Sequence, residues 1–194
     1  MHRILLVDDE PGVLHALARL LRHTPLLVGG ERWRVQVDCF SVPHEALASA
    51  AEVAYELVIS DYRMPGMDGV ALLRRMRELQ PEAARVILSG YTDLNGLIGA
   101  INEARIERFV AKPWNDFELV SALAQILEIR ALRMDNEALA DRARCEQGRL
   151  SPADLERKRL ELLEPGITHV QWGPDGSVLM DAADPAAEPG TWGG

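Results

Sequence analysis

Cysteine is scarce in this chain of 194 residues: there are two, Cys39 and Cys145, far apart. Two such thiols supply no disulfide framework and fit a reducing compartment. No His/Cys spacing of the metal-binding kind occurs. Long apolar runs are missing too, and none approaches the ~18–20 residues that a membrane span needs. The opening Met1-His2-Arg3-Ile4-Leu5-Leu6-Val7-Asp8-Asp9 is no signal peptide, because its short apolar run passes straight into acids. A cytoplasmic protein is expected. Positive charge is in deficit, with a formal net charge of -9 and a pI near 5.1. Apart from any local basic patch, that balance leaves no electrostatic footprint for wrapping nucleic acid or an anionic membrane.

What is present reads as a globular α/β protein, 47% hydrophobic and 26% charged. Ile4–Val7, Leu57–Ser60, Val86–Ser89 and the shorter Phe109–Ala111 are compact apolar runs, as expected of strands buried on both faces of a parallel sheet. Val35–Cys39 alternates in polarity and suits a strand nearer the edge. Amphipathic stripes lie between these runs. Val13, Leu14, Leu17, Leu20 and Leu21 form the first, and Ala46, Leu47, Ala50 and Val53 the second. Val70, Leu72, Leu73, Met76 and Leu79 form the third, and Leu94, Leu97, Ile98 and Ile101 the fourth. A fifth, with Phe117, Val120, Leu123 and Leu127, follows Pro113-Trp114. Five strand–helix units imply a doubly wound, five-stranded parallel sheet. His23–Arg34, with Gly29-Gly30, is long for a helix-to-strand connection and reads as a surface insertion.

The fifth helix does not stop at the domain boundary near residue 128. From Asn115 to about Arg144 there is no Pro or Gly, and Ile126, Ile129, Leu132, Asn136, Leu139 and Ala143 keep a three-four spacing. The extension over 129–148 is expected to form a coiled-coil homodimer. Gly148 breaks it. Ser151-Pro152-Ala153-Asp154 then opens a new helix, with Ser as N-cap and Pro in the first position. Ile167–Trp172 and Ser177–Met180 flank Gly173-Pro174-Asp175-Gly176, a turn signal that implies a hairpin. An accessory helix and hairpin over 149–181 and a disordered, Pro/Ala/Gly-rich tail over 182–194 complete the expected organisation. From Asn115 onward there are 8 Lys and Arg against 15 Asp and Glu. No helix pair with a basic second helix is visible, so a nucleic-acid partner is not expected. A transcriptional output through a non-obvious DNA-binding C-terminal segment is the alternative. No nucleotide cyclase, phosphohydrolase or ATPase signature appears, and the chain is not expected to be an enzyme.

In an open α/β sheet, ligands bind at the carboxyl ends of the strands. Asp8-Asp9-Glu10 follows the first strand, Asp61 the third, Ser89 the fourth and Lys112 the fifth. Carboxylates gathered at one edge repel one another. A hard divalent cation relieves that repulsion, and Mg²⁺ suits a site of a few carboxylates, waters and phosphate oxygens. A hydroxyl and a lysine opposite the acids are what an attached phosphoryl group requires. An aspartyl-phosphate hydrolase of the dehalogenase type is the rival. It needs its nucleophile first in an Asp-x-Asp after the first strand, where this chain has Asp8-Asp9-Glu10.

Four segments carry a family resemblance: Leu6-Val7-Asp8-Asp9-Glu10, Ile59-Ser60-Asp61-Tyr62-Arg63-Met64-Pro65-Gly66-Met67-Asp68-Gly69, Val86-Ile87-Leu88-Ser89-Gly90-Tyr91 and Phe109-Val110-Ala111-Lys112-Pro113-Trp114. In order and placement they resemble the response-regulator receiver (CheY-like) family of two-component signal transduction, over about residues 2–128. The resemblance implies a flavodoxin-like receiver fold with Asp61 as Mg²⁺-dependent phosphoacceptor. It implies that Asp9, Asp8, Asp61 and the backbone carbonyl of Arg63 hold the metal. Ser89 and Lys112 would contact the phosphoryl oxygens, and Ser89 and Phe109 would form the switch. Pro65 and Gly66 would shape the loop after Asp61, and Lys112–Pro113 is the expected cis peptide. Arg63 and Tyr91 lie where a hydrolytic water would approach, so they would modulate the phosphoryl lifetime. The implied partner is a sensor histidine kinase or phosphotransfer protein. Output would pass through protein–protein contacts or dimerisation.

Overall fold

The run Ile4-Leu5-Leu6-Val7 is apolar at every position because both of its faces are covered. A computed structural model describes residues 2–90 and 104–167. The strands are β1 (His2–Val7), β2 (Leu26–Val28), β3 (Glu31–Trp33), β4 (Val35–Phe40), β5 (Leu57–Asp61), β6 (Ala84–Ser89) and β7 (Arg108–Ala111). The helices are α1 (Pro11–His23), α2 (Pro43–Glu52), α3 (Gly69–Leu79), α4 (Asp116–Glu146) and α5 (Pro152–Leu163). The fourth apolar stripe, Tyr91, and nearly all of the expected hairpin and tail lie outside the described residues.

Five strands form one parallel sheet in the order β4-β1-β5-β6-β7, with β4 at an edge as its alternating pattern implies. Successive side chains of a strand enter opposite layers. Ile4 and Leu6 join a core with Leu14, Leu17, Leu119 and Leu123, from α1 and α4. Leu5 and Val7 join a second core with Ala46, Ala50, Leu72, Leu73 and Met76, from α2 and α3. The sheet is therefore doubly wound. The chain leaves β1 in one direction to β4 and returns to β5 on its other side, which opens a crevice at the carboxyl ends of β1 and β5.

Helix starts follow local chemistry. Pro11 occupies the first turn of α1, and Arg22 and His23 face its carbonyl-rich end. Asp68 caps α3 by accepting from Ala71 N at 2.7 Å. Asn115 caps α4 by accepting from Phe117 N and Glu118 N, at 3.0 and 3.1 Å. Ser151 Oγ accepts from Asp154 N at 3.0 Å, with Pro152 next, as the sequence implies.

Two expectations need correction. The insertion between α1 and β4 is more than surface. It folds as the antiparallel hairpin β2–β3, and Gly29 and Gly30 both have positive φ, +58° and +83°, the conformation a two-residue hairpin turn demands. Leu26 and Val28 are buried in the first core, where β2 packs on α4. At the other edge Trp33 stacks on His2 with ring centroids 3.6 Å apart. The reason is amphipathicity: Leu26 and Val28 sit two apart on one face, too short a run to register as a strand. The run Val86–Ser89 is likewise part of a longer strand, which begins at Ala84 and includes a buried arginine, Arg85.

Helix α4 runs 31 residues and overhangs the sheet. Arg130 Nε donates to the Glu82 carbonyl at 2.7 Å, which marks where the helix leaves the domain. Beyond that point α5 folds back beside α4. Asp141 of α4 accepts from Lys158 Nζ at 2.8 Å and from Arg144 at 2.6 Å, and these two cations hold its carboxyl below the usual range. Ile129, Leu132 and Leu139 stay exposed.

At Gly69 a Cβ would lie 2.0 Å from the Asp61 carbonyl oxygen and 2.9 Å from Ser60 Oγ. Gly69→Ala is expected to lower stability by about 1–3 kcal/mol, the usual scale of overpacking. Gly12→Ala, where a Cβ meets nothing within 4 Å, leaves stability unchanged or higher. Urea midpoints measure both; a wild-type midpoint for Gly69→Ala would disprove the close approach.

Candidate functional site

The crevice collects the residues that follow the strands. Asp8 leaves β1, Asp61 ends β5, Ser89 ends β6 and Lys112 follows β7. The register does this work, since Val7 lies opposite Ser60, Asp61 opposite Leu88, and Ser89 opposite Ala111. Lys112 reaches back across the crevice. Its Nζ lies 2.7 Å from Asp8 Oδ2 and 2.5 Å from Asp61 Oδ1. One ammonium therefore bridges two carboxylates that belong to different strands. Lys112 N donates to the Ser89 carbonyl at 2.8 Å, and the Lys112–Pro113 peptide is cis.

The two acids are held differently. Asp8 is only 1% exposed, and its Oδ1 accepts from Glu10 N at 2.9 Å. Burial pushes its carboxyl above the ordinary value of 3.8 and the Asp61 charge adds to this, against the pull of Lys112 and the Glu10 amide. Asp61 lies at the mouth, 7% exposed, with Oδ2 accepting from Arg63 N at 2.8 Å. Burial opposes the charge on Lys112, but its hydrogen bonds to Asp61 and Asp8 carry the ammonium above its ordinary value. The lysine is thus shared between two carboxylates, and burial leaves Asp8 short of positive charge.

Asp9 is exposed at the rim and Arg63 is exposed in the loop after Asp61. Pro65 and Gly66 form the outer part of that loop, with Gly66 at φ +80°, while Met64 anchors it in the second core. Ser89 is buried at the end of β6, and its Oγ donates to the Gly90 carbonyl at 3.3 Å. Phe109 is half-buried, opposite Ile87, and packs against the second core. Trp114 packs against the first core.

Two supporting residues carry no role in the sequence reading. Ser60 is fully buried and its Oγ donates to the Asp61 carbonyl at 2.8 Å. Gly69 starts α3 directly against that carbonyl, and its N donates to the Tyr62 carbonyl at 2.9 Å. A serine inside an apolar strand and a glycine just after an N-cap aspartate were the available signals.

The donor set suits a hard cation. Among the described residues no three His, Cys, Asp or Glu side chains gather around one point. Mg²⁺ does not require that, because it keeps several waters and uses one or two carboxylates. Asp8 and Asp61 are two such carboxylates sharing a single ammonium.

Residues 4–124 match the family described as the response regulator receiver domain. The chain is 35% identical over 136 residues to the hydrogenase transcriptional regulatory protein HoxA of Cupriavidus necator, covering 70% of this chain and 26% of that one. It is 30% identical to the response regulator protein TmoT of Ectopseudomonas mendocina, covering 69% and 56%. Among solved structures, the signal receiver domain of an HD domain-containing protein from Pseudomonas fluorescens is similar at 35% identity and a TM-score of 0.57, covering 67% of this chain and 97% of that one. The chain spans about a quarter of the length of HoxA.

The raised carboxyl of Asp8 gives a signed prediction. A group held above its unfolded value binds its proton more tightly when folded, so its contribution falls as pH rises from 3.8 through the folded value. In protein freed of divalent ions, Asp8→Asn should raise the thermal midpoint at pH 7, and the gain should vanish below pH 3.8. A variant that is less stable at pH 7 would refute the unneutralised-acid reading.

Proposed function

The chain belongs to the response regulator receiver family, and from that premise we propose that Asp61 is its phosphoacceptor, charged by a sensor histidine kinase or phosphotransfer protein. Domains of this kind are signalling domains of two-component systems. The observation that carries the proposal is the bridged pair: Asp61 at the crevice mouth, 2.5 Å from Lys112, with Asp8 on the other side of the same ammonium.

In the transfer an Asp61 carboxylate oxygen forms a bond to phosphorus. The P–N bond of the donor phosphohistidine breaks, and its electron pair stays on the ring nitrogen, which takes up a proton. Catalysis of such a step is mostly positioning and charge neutralisation. Lys112 turns from the carboxylate to a phosphoryl oxygen, and Ser89 donates its hydroxyl to another. Asp8, Asp61 and the backbone carbonyl of Arg63 would hold Mg²⁺, with Asp9 reaching it from the rim directly or through water, and the ion would supply charge to offset that of the phosphoryl oxygens. As Ser89 moves inward, Phe109 follows into the space beside β6 and β7. Arg63, in the loop after Asp61, and Tyr91, two positions after Ser89 in the sequence, are assigned to set the lifetime of the aspartyl phosphate. The same reading places the protein in the cytoplasm, where a phosphohistidine donor and Mg²⁺ are both available.

Residues 1–128 form the receiver, and output passes through the overhang. We assign Ile129, Leu132, Asn136, Leu139 and Ala143 to a homodimer seam, supported by the exposure of Leu132 (58%) and Leu139 (62%). The names of HoxA and DctD, a C4-dicarboxylate transport transcriptional regulatory protein of Rhizobium meliloti, favour a second reading, a transcriptional output. A gel shift on the full chain with and without phosphodonor separates the two.

Acetyl phosphate with Mg²⁺ should add one phosphoryl group to the intact mass. Asp61→Asn should abolish the adduct, and Lys112→Ala should slow it about 100-fold, the scale for losing one preorganised charge. An adduct that survives Asp61→Asn would overturn the assignment. For the seam, Leu132→Glu with Leu139→Glu should halve the mass seen by light scattering; an unchanged mass places any dimer elsewhere.

A further inference from the structure

Past Arg130 helix α4 has left the sheet, yet one carboxylate on this overhang is buried: Asp141 is 5% exposed. It belongs to the row Leu123, Leu127, Arg130, Met134, Asp141 and Cys145, whose steps of three, four and seven residues follow one side of the helix. Leu123 and Leu127 pack that side into the first core, and Met134 and Cys145 are half-buried. The side of α4 that faces the sheet therefore continues as the side that faces α5. Leu139, two residues before Asp141, lies about 200° round the helix and is exposed, as is Leu132.

Local chemistry aims α5 along the sheet side. Gly148, at φ +69°, donates its N–H to the Cys145 carbonyl at 3.0 Å, and Arg149 N donates to the Arg144 carbonyl at 2.8 Å. This closure ends α4 and reverses the chain. Ser151 and Pro152 then start α5 at once. At its far end the chain returns to the receiver. A Cβ on Gly166 would lie 3.5 Å from the carbonyl oxygen of Ala51, in the last turn of α2. Gly166 N donates to Glu161 Oε1 at 2.7 Å, which fixes this elbow to the end of α5. Helix α5 thus spans the angle between the overhang and the receiver.

Little apolar surface holds it there. None of the twelve residues of α5 is buried, and Leu160, Leu162 and Leu163 are exposed. A helix shorter than roughly 12–15 residues is marginal by itself in water. The charged attachment is Lys158 on Asp141, at 2.8 Å. Without Lys158, Asp141 would keep only Arg144, a residue of its own helix. An element with so few buried apolar contacts opens at low free energy. We propose that α5 is an intramolecular strap, locked to α4 by Asp141 and Lys158, which joins the overhang to the receiver as one arm when closed and frees it when open. The closed strap covers the sheet side of the arm and leaves the Leu132 and Leu139 side free. Because it lies within one chain, the strap depends neither on the Asp61 assignment nor on the homodimer.

Cys145, four residues from the lock on the strapped side, reports the strap in the full chain. Cys39→Ser, at an exposed position, leaves Cys145 as the one thiol. Its rate of reaction with dithiodipyridine, an uncharged reagent, is measured at pH 7. In that background Lys158→Glu should speed the reaction about fivefold, the scale of one ion pair lost from the opening equilibrium. Electrostatics alone would act the other way, because an added negative charge disfavours the thiolate. Lys158→Glu with Asp141→Lys restores the pair with its signs exchanged and should bring the rate back towards that of Cys39→Ser. Leu132→Glu with Leu139→Glu should leave the rate unchanged. A rate that Lys158→Glu fails to raise, or an exchanged pair as fast as Lys158→Glu alone, would overturn the proposal. So would a faster reaction in the Leu132 and Leu139 variant, by showing that a second chain shields the thiol.

Discussion

One ammonium group holds two carboxylates together at the rim of the sheet, and the rest of the architecture makes that contact possible. Lys112 follows β7, Asp8 follows β1 and Asp61 ends β5, so the bridge spans the carboxyl edge from an edge strand to the centre. The contact requires parallel strands in a fixed register, because a one-residue slip would send a side chain to the other face. It also leaves the site under-neutralised. Asp8, buried beside Asp61, cannot shed its charge into water, and Lys112 is already shared. A crevice in that state favours any added cation. It also has a ready partner in Lys112 for negative charge placed on Asp61.

The support around Asp61 is built from short-range chemistry. Ser60 occupies one lone pair of the Asp61 carbonyl, and Gly69 lets the first turn of α3 lie against the same oxygen. Asp68 caps that turn, and Met64 ties the intervening loop to the second core. Behind them, the Gln80 side chain donates to the Ala50 and Val53 carbonyls and accepts from Tyr55 N, locking the end of α3 to the end of α2. Asp61 is thus presented by a rigid strand end, while Asp9 and Arg63 stand in solvent beside it. Rigid presentation with exposed neighbours is what a site needs when it must position one oxygen and admit a partner's side chain.

The sequence carried the sheet because its strands are apolar at every position, and that pattern has few competing explanations. It carried the gathering of Asp8, Asp61, Ser89 and Lys112 for a related reason: each follows such a run, and parallel strands put their ends together. What it did not carry depends on contacts between residues far apart. Leu26 and Val28 look like loop residues until α4 lies over them. Arg85 breaks an apolar pattern, and nothing local says that five carbonyls from two loops will receive it. The fold-back of α5 rests on Asp141 meeting Lys158, seventeen residues on, one charged pair among many that the sequence allows. Gly69 was visible as a residue, but its necessity comes from a carbonyl eight positions earlier.

Charge is sorted along the strands. Among the described residues Asp8, Asp9 and Asp61 stand at the carboxyl edge, while Arg85, Arg105 and Arg108 stand at the amino edge beside Glu82 and Glu107. From Arg85 to Ser89 the strand covers roughly 13 Å at its usual rise. Mobile ions screen exposed charges over about 8 Å at physiological ionic strength. Through solvent, then, the two edges act as separate electrostatic environments. Through the protein they are joined by β6 itself, whose residues are all buried and whose neighbours are bonded along both sides. A charge added at one edge does little to the other by direct attraction. A displacement of β6 is different, because it moves Arg85 and Ser89 together.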